Sequence, residues 1–186
     1  FGGTPAVVGP IGLLGSGVAA AAHVEWEDYT EMLGIEAEYV PAGLECGTVE
    51  VPVDYSEPDG AKTQVALTRI QATSGQPRST VFGNPGGPGN YALNFWTPSQ
   101  QGQVPDGLYE NHDLVAVQPR GLTGSNPMVC DVRFVGPNSP NALHDACYGT
   151  DPDYMASMTT ENAARDMNPV REALELPQSH DGGGAH

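Results

Sequence analysis

Two short apolar segments, each followed at once by a loop rich in glycine and proline, constrain the fold of this chain more than any other feature. S-T-V-F-G, residues 79–83, leads into N-P-G-G-P-G, and H-D-L-V-A-V-Q, residues 112–118, leads into P-R-G. Short buried strands that end in such loops are typical of an α/β sheet. The sequence therefore predicts an α/β fold with parallel strands and helices.

An alternating pattern of apolar and polar residues precedes these segments. T-V-E-V-P-V-D-Y, residues 48–55, and Q-V-A-L-T-R-I-Q-A, residues 64–72, are separated by the turn sequence E-P-D-G. Alternation with this spacing predicts a β-hairpin over residues 47–72, and Pro52 indicates a sheet edge. Near the end of the chain, residues 160–174 predict a helix opened by Thr159 or Thr160, which Pro169 should kink or interrupt.

The first 22 residues carry no charged side chain, and residues 5–22 are almost wholly apolar or small. This composition fits a retained anchor docked on membrane helices, a signal removed on export, or an ordinary apolar arm. We expect an apolar helix or arm over residues 1–23, with residues 1–22 in contact with a lipid bilayer. Residues 24–43 form an acidic lead-in, in which Glu25 to Glu38 has the apolar spacing of a short amphipathic helix.

The charge of the chain excludes one class of partner. Seven Lys and Arg against 23 Asp and Glu give a formal net charge of −16. Nucleic acid would be repelled, because binding to phosphate requires clustered basic residues. The acidity is typical of a solvated surface, and a docking face for a cationic partner is the alternative.

Three cysteines, Cys46, Cys130 and Cys147, lack the short paired spacing of a zinc site, so no metal site and no cofactor are expected. Cys130 and Cys147 flank a stretch that includes P-N-S-P, residues 137–140, which predicts a surface loop closed by a disulfide. Such a bond would indicate an oxidising compartment. Two unpaired buried thiols are the alternative.

Four segments in order resemble a known family: C-G-T-V-E-V-P-V-D-Y from residue 46, N-P-G-G-P-G from 84, P-R-G from 119 with Gly124-Ser125, and A-A-R-D from 163. This series is similar to the N-terminal part of exported bacterial tripeptidyl aminopeptidases, relatives of prolyl iminopeptidases with the α/β-hydrolase fold. The resemblance implies a partial α/β-hydrolase domain over residues 44–178, with a glycine-rich tail over 179–186.

The same resemblance assigns roles to individual residues. It implies that the backbone N–H groups of Gly86 and Gly87 face a developing oxyanion, in a loop that begins at Asn84, because side chains would obstruct that approach. A tight turn without chemistry is the alternative for these glycines. Arg120 would brace the neighbourhood of the site. Family members commonly have aspartate at the position of Gln118.

A nucleophile is the missing part of this pattern. No G-x-S-x-G elbow follows the predicted helix, and aligning the tail with the elbow would put Gly184 at the serine position. Ser179, His180 and Asp181 are adjacent in the chain and cannot form a triad, which is assembled from distant loops. We therefore expect no catalytic residue in the sequence as given.

Three functional hypotheses follow. The first is a membrane-tethered, extracytoplasmic module without a nucleophile, which serves as an accessory subunit of a bacterial envelope membrane complex. The second is part of a secreted serine exopeptidase of the tripeptidyl or prolyl aminopeptidase type, whose catalytic half is missing. The third is a soluble acidic binding protein with no membrane link.

Overall fold

The computed structural model describes residues 22–27, 43–87, 89–96, 105–130 and 140–177. Within these ranges the chain forms five strands and four helices. The strands are β1 (Glu25–Glu27), β2 (Leu44–Pro52), β3 (Lys62–Ile70), β4 (Ser79–Gly83) and β5 (His112–Val117). The helices are α1 (Asp106–Asn111), α2 (Pro140–Tyr148), α3 (Pro152–Ser157) and α4 (Thr160–Ala173).

The strands form one mixed sheet in the order β1-β2-β3-β5-β4. The predicted hairpin is confirmed: β2 and β3 pair antiparallel from Leu44 opposite Ile70 to Pro52 opposite Lys62. β4 and β5 pair parallel, as the two loop-terminated apolar segments predict. A mixed sheet with a few helices is compatible with the partial α/β fold expected from the sequence.

Buried side chains cluster on each face of the sheet, because successive residues of a strand point to opposite faces. Helix α4 packs Val170 against the first cluster, which contains Val49, Val51, Val65, Leu67, Val115 and Val117. The turn after the glycine-rich loop covers the second cluster with Trp96, and this cluster contains Ile70, Leu114 and Ala116. The sheet is therefore covered on both faces at its centre.

Helix α4 begins where the sequence predicts. The Thr159 hydroxyl accepts a hydrogen bond from the backbone N–H of Asn162 at 3.1 Å, which caps the first turn. Pro169 was expected to kink or interrupt the helix, and interruption is wrong, since α4 continues to Ala173. Proline lacks an N–H, so the helix loses one backbone hydrogen bond there without ending.

Strand β1 corrects the start of the segment predicted as a short amphipathic helix or lead-in, because its first three residues, Glu25–Glu27, pair antiparallel with Cys46–Thr48 of β2. Gly47 permits this pairing. A Cβ at Gly47 would lie 2.6 Å from Val24 Cγ1 and 2.8 Å from the Glu25 carbonyl oxygen. Ala22 and Val24 also pack against the first buried cluster.

Most of the predicted apolar arm and acidic lead-in, together with the glycine-rich tail, lies outside the described residues. Among the helices that the structure does describe, none combines the length and hydropathy needed to cross a bilayer. The apolar N-terminal helix therefore stays a prediction.

The disulfide between Cys130 and Cys147 is confirmed. It ties the segment that follows β5 to helix α2, since Cys147 is the penultimate residue of that helix. Of the predicted surface loop, Pro140 is the first residue of α2, and residues 131–139 lie outside the described ranges. The bond therefore ties a helix, rather than only a loop, to the segment that follows the P-R-G loop.

Candidate functional site

The glycine-rich loop that begins at Asn84 and the P-R-G loop follow the carboxyl ends of two neighbouring strands. β4 ends at Gly83 and β5 at Val117, and the two strands are parallel, so both loops leave the sheet on the same side. In α/β sheets, sites form at the carboxyl ends of the strands, where loops of this kind meet. The topology thus brings together the two loops that the sequence marks.

The glycine-rich loop has a conformation that requires glycine. Gly86, Gly87 and Gly89 have φ angles of 73°, 141° and 84°, in the region that residues with a Cβ rarely adopt. The Gly86 N–H donates to the side-chain oxygen of Asn84 at 2.8 Å. Gly87 is exposed, and its N–H donates to no other residue that the structure describes. Of the two predicted donors, Gly87 therefore presents the available amide.

The segment after this loop returns beneath the sheet and is held tightly. The Thr68 hydroxyl donates to the Leu93 carbonyl oxygen at 3.0 Å, and the Trp96 indole N–H donates to the Val115 carbonyl oxygen at 2.9 Å. Gly83 gives this segment its space, since a Cβ there would lie 2.3 Å from the Phe95 ring and 2.5 Å from the Trp96 ring. The loop thus stands on a packed base.

Arg120, in the P-R-G loop after β5, belongs to a buried network. Its Nε and Nη2 donate to the two carboxylate oxygens of Asp166 at 2.8 and 2.5 Å. Nη1 and Nη2 also donate to the carbonyl oxygens of Val53 and Pro52, both at 3.0 Å. The Tyr55 hydroxyl donates to Asp166 at 2.7 Å. The network connects the end of β2, the loop after β5 and helix α4.

The protonation of this network fits a structural role. Burial lowers the pKa of Arg120, but the hydrogen bonds and negative charge of Asp166 outweigh that effect and raise the pKa above its usual range. Burial, then the hydrogen bond to Asp166, raise the pKa of Tyr55. The guanidinium therefore stays charged and the phenol protonated near neutral pH. That Arg120 braces the site remains a prediction, for which this geometry supplies a physical basis.

Sequence reasoning missed two members of the network. Asp166 was noted only as part of A-A-R-D, and Tyr55 only as the end of a strand pattern. Their hydrogen-bond partner atoms lie 46 and 111 positions away, respectively, in the chain. No local pattern indicates pairings over such separations.

A serine and a histidine meet elsewhere, at the amino ends of β4 and β5. Ser79 Oγ lies 2.9 Å from His112 Nδ1, where β4 and β5 begin. The neighbouring Asp113 carboxylate instead accepts from the Ala72 N–H at 2.8 Å. Among the described residues no carboxylate contacts His112, so the pair lacks the third member that orients a catalytic histidine. Within the same ranges, no group of three His, Cys, Asp or Glu side chains is placed to hold a metal ion.

Comparison with known proteins gives several relatives, although no protein-family model matches the chain. A tripeptidyl aminopeptidase of Streptomyces lividans is 29% identical over 84% of this chain and 32% of its own length. Serine protease Hip1 of Mycobacterium tuberculosis is 40% identical over 48% of this chain and 17% of its own length. Carboxylesterase B of the same organism is 29% identical over 82% of this chain and 33% of its own length.

The chain is similar to part of several bacterial hydrolases. It spans about a third or less of the length of these relatives. Their names share the hydrolysis of peptide or ester bonds, which supports a hydrolase-like segment. Neither these similarities nor the described residues support the predicted membrane-tethered accessory role.

Proposed function

We propose that these residues form the oxyanion-loop segment of a serine hydrolase that cleaves peptide or ester bonds through an acyl-enzyme. The observation that carries the proposal is the exposed Gly87 amide, which stands in a loop of positive-φ glycines at the carboxyl end of a parallel strand. Acyl transfer needs fixed N–H donors where negative charge develops, with no side chain in the way.

The free side of β4 supports a place for the nucleophile. β4 is the last strand of the described sheet, and its Phe82 side chain is 36% exposed. A further parallel strand paired with β4 would satisfy its backbone groups and cover Phe82. The turn after such a strand would lie beside Gly87, at the carboxyl ends of the parallel strands. In this proposal the serine, acid and histidine lie outside these 186 residues.

Within this class, we favour an exopeptidase that releases short peptides from free amino termini. Two facts support this: the order of the four motifs and the similarity to a tripeptidyl aminopeptidase over 84% of the chain. The disulfide supports an extracytoplasmic or secreted location, since such bonds persist in oxidising compartments. The membrane anchor and the membrane partner depend on residues outside the described ranges and stay predictions.

The test uses the protein expressed from its complete coding sequence, with three chromogenic substrates. These are a tripeptide p-nitroanilide with a free amino terminus, the same peptide acetylated, and p-nitrophenyl acetate. We expect cleavage of the free peptide and little cleavage of the acetylated one. Cleavage of the ester alone would reassign the protein to the esterases, and cleavage of none would contradict a hydrolase.

A variant tests the role of the loop. A Cβ at Gly87 would lie 2.9 Å from the Gly89 nitrogen, at a φ of 141°. Gly87→Ala should therefore displace the donor and lower kcat by about 100-fold, the typical loss when one oxyanion donor is removed. Gly75→Ala is the matched control, since Gly75 also has a positive φ but lies in open space, in the loop between β3 and β4. Equal kcat values in the two variants would contradict the oxyanion role.

A further inference from the structure

Gln118 is a buried polar residue to which the proposed reaction gives no role. It follows β5 directly and is 1% exposed. Its side-chain oxygen Oε1 accepts a hydrogen bond from the backbone N–H of Ala92 at 2.6 Å. Ala92 lies on the returning limb of the glycine-rich loop, five positions after Gly87, and is itself buried.

The backbone of Gln118 is fixed to the centre of the sheet. Its N–H donates to the Ala66 carbonyl oxygen at 2.9 Å. Its carbonyl oxygen accepts from the Ser125 hydroxyl at 2.8 Å, and the same hydroxyl accepts from the Ala66 N–H at 2.8 Å. Since Ala66 lies in the middle of β3, the Gln118 side chain starts from a rigid position.

The two loops also touch beside this hydrogen bond. A Cβ at Gly124 would lie 3.1 Å from Leu93 Cδ1, so the loop after β5 packs closely against the residue that follows Ala92. A buried amide N–H that loses its acceptor carries the full cost of desolvation. The position of Ala92 therefore depends on the acceptor that Gln118 supplies.

We infer that Gln118 is a positioning residue: it anchors the returning limb of the glycine-rich loop and thereby fixes the direction of the Gly87 N–H. The effect on catalysis rests on the proposed function, whereas the anchoring does not. A displacement of an oxyanion donor by about 1 Å is enough to lower a rate by a large factor.

The first test of this inference measures the loop itself. Gln118→Met keeps a similar length and volume but removes the amide oxygen. We expect amide hydrogen exchange in the segment 84–93 to become at least about tenfold faster in this variant, because the limb opens more often. Exchange at the wild-type rate would overturn the inference.

Thr63→Val is the matched control for a general loss of stability. Thr63 is a buried residue of β3, and its hydroxyl binds Tyr154 Oη at 3.3 Å and Asn126 Nδ2 at 3.1 Å, neither of which belongs to the glycine-rich loop. We expect exchange in the segment 84–93 to be unchanged in Thr63→Val. Equal acceleration in the two variants would show that Gln118 contributes only to global stability, which would also overturn the inference.

The second test measures turnover of the best substrate by the protein from its complete coding sequence. Gln118→Met should lower kcat at least about tenfold with KM changed less than about threefold, the pattern of an interaction made in the transition state. Thr63→Val should leave kcat unchanged. An unchanged kcat in Gln118→Met would overturn the catalytic part of the inference.

Two outcomes separate this inference from the proposed function. If the wild-type protein turns over no substrate, the hydrolase proposal fails, and exchange alone decides whether Gln118 anchors the loop. If Gln118→Met does not fold, the wild-type Ala92 N–H provides the test: we expect protection of at least about 100-fold, and the rate of an exposed amide would contradict the anchor.

Discussion

At the scale of single residues, Arg120 and Asp166 carry opposite charges in a site that excludes water. Their side chains are 1% and 2% exposed. Removing two ions from water is costly, and the cost is offset here by a two-point contact and by the carbonyl oxygens of Pro52 and Val53. Neither charge would be tolerated without the other.

This dependence gives a prediction for stability. Asp166→Asn leaves the guanidinium buried without a counter-charge, so we expect the free energy of unfolding to fall by about 3–5 kcal/mol. Glu161→Gln is the control, because Glu161 pairs with Arg165 at 2.6 Å on the exposed surface of the same helix. That variant should change stability by less than about 1 kcal/mol. Urea denaturation measures both, and similar losses would contradict the account of the buried pair.

Cys46 gives a second prediction at this scale. Burial, followed by the charge of Glu27, raises the pKa of the Cys46 thiol from 9.0 to about 12. The folded protein thus holds this proton where the unfolded chain loses it, so the thiol stabilises the fold below pH 9, and this contribution is lost as pH rises toward 12. The thiolate is the reactive form.

Modification by iodoacetamide measures the state of this thiol. At pH 8 we expect Cys46 in the folded protein to react at least about 100-fold more slowly than in urea, because burial both blocks access and suppresses the thiolate. The disulfide removes Cys130 and Cys147 from the reaction. Comparable rates with and without urea would show that the Cys46 thiol is not buried and that its pKa is not raised.

At the scale of elements, the sequence predicted the segments whose signal is local. β2, β3 and α4 combine the appropriate periodicity with a turn or capping residue, and β4 and β5 are short apolar segments that end in glycine- and proline-rich loops. β1 was missed, since three residues carry no periodicity and its place depends on Gly47, about 20 positions later. The prediction that Pro169 interrupts α4 was wrong for a related reason. Packing of Val170 against the sheet holds α4 together despite the missing hydrogen bond.

The glycine at the end of β4 gives a prediction for element packing. Gly83→Ala would place a methyl group against the Phe95 and Trp96 rings, so we expect a loss of about 1–3 kcal/mol from overpacking. Gly107→Ala, in helix α1, is the control, because the added carbon would meet nothing within 4 Å beyond its chain neighbours and the backbone of its own helix. Helix propensity should make that change neutral or stabilising by up to about 1 kcal/mol. Thermal unfolding of both variants tests the difference, and equal melting temperatures would contradict it.

At the scale of the whole molecule, the sequence predicted the fold class and both loops of the candidate site, but not their arrangement. β5 lies between β3 and β4, an order that no local pattern specifies. This strand order brings the two loops together at the carboxyl ends of β4 and β5, and it lets the Gln118 side chain reach Ala92. The Arg120 network could not be predicted from the sequence either, because it joins three elements far apart in the chain. Long-range pairings depend on the assembled sheet, whereas turns and strands depend on neighbouring residues.

The central claim is that this fold supplies the oxyanion loop for a serine nucleophile outside residues 1–186. Labelling with a fluorophosphonate probe, followed by mass spectrometry of the protein from its complete coding sequence, tests that claim most directly. We predict one modified serine outside these 186 residues, with labelling slowed by substrate and by Gly87→Ala. No modification, or modification of a described serine such as Ser79, would contradict the account.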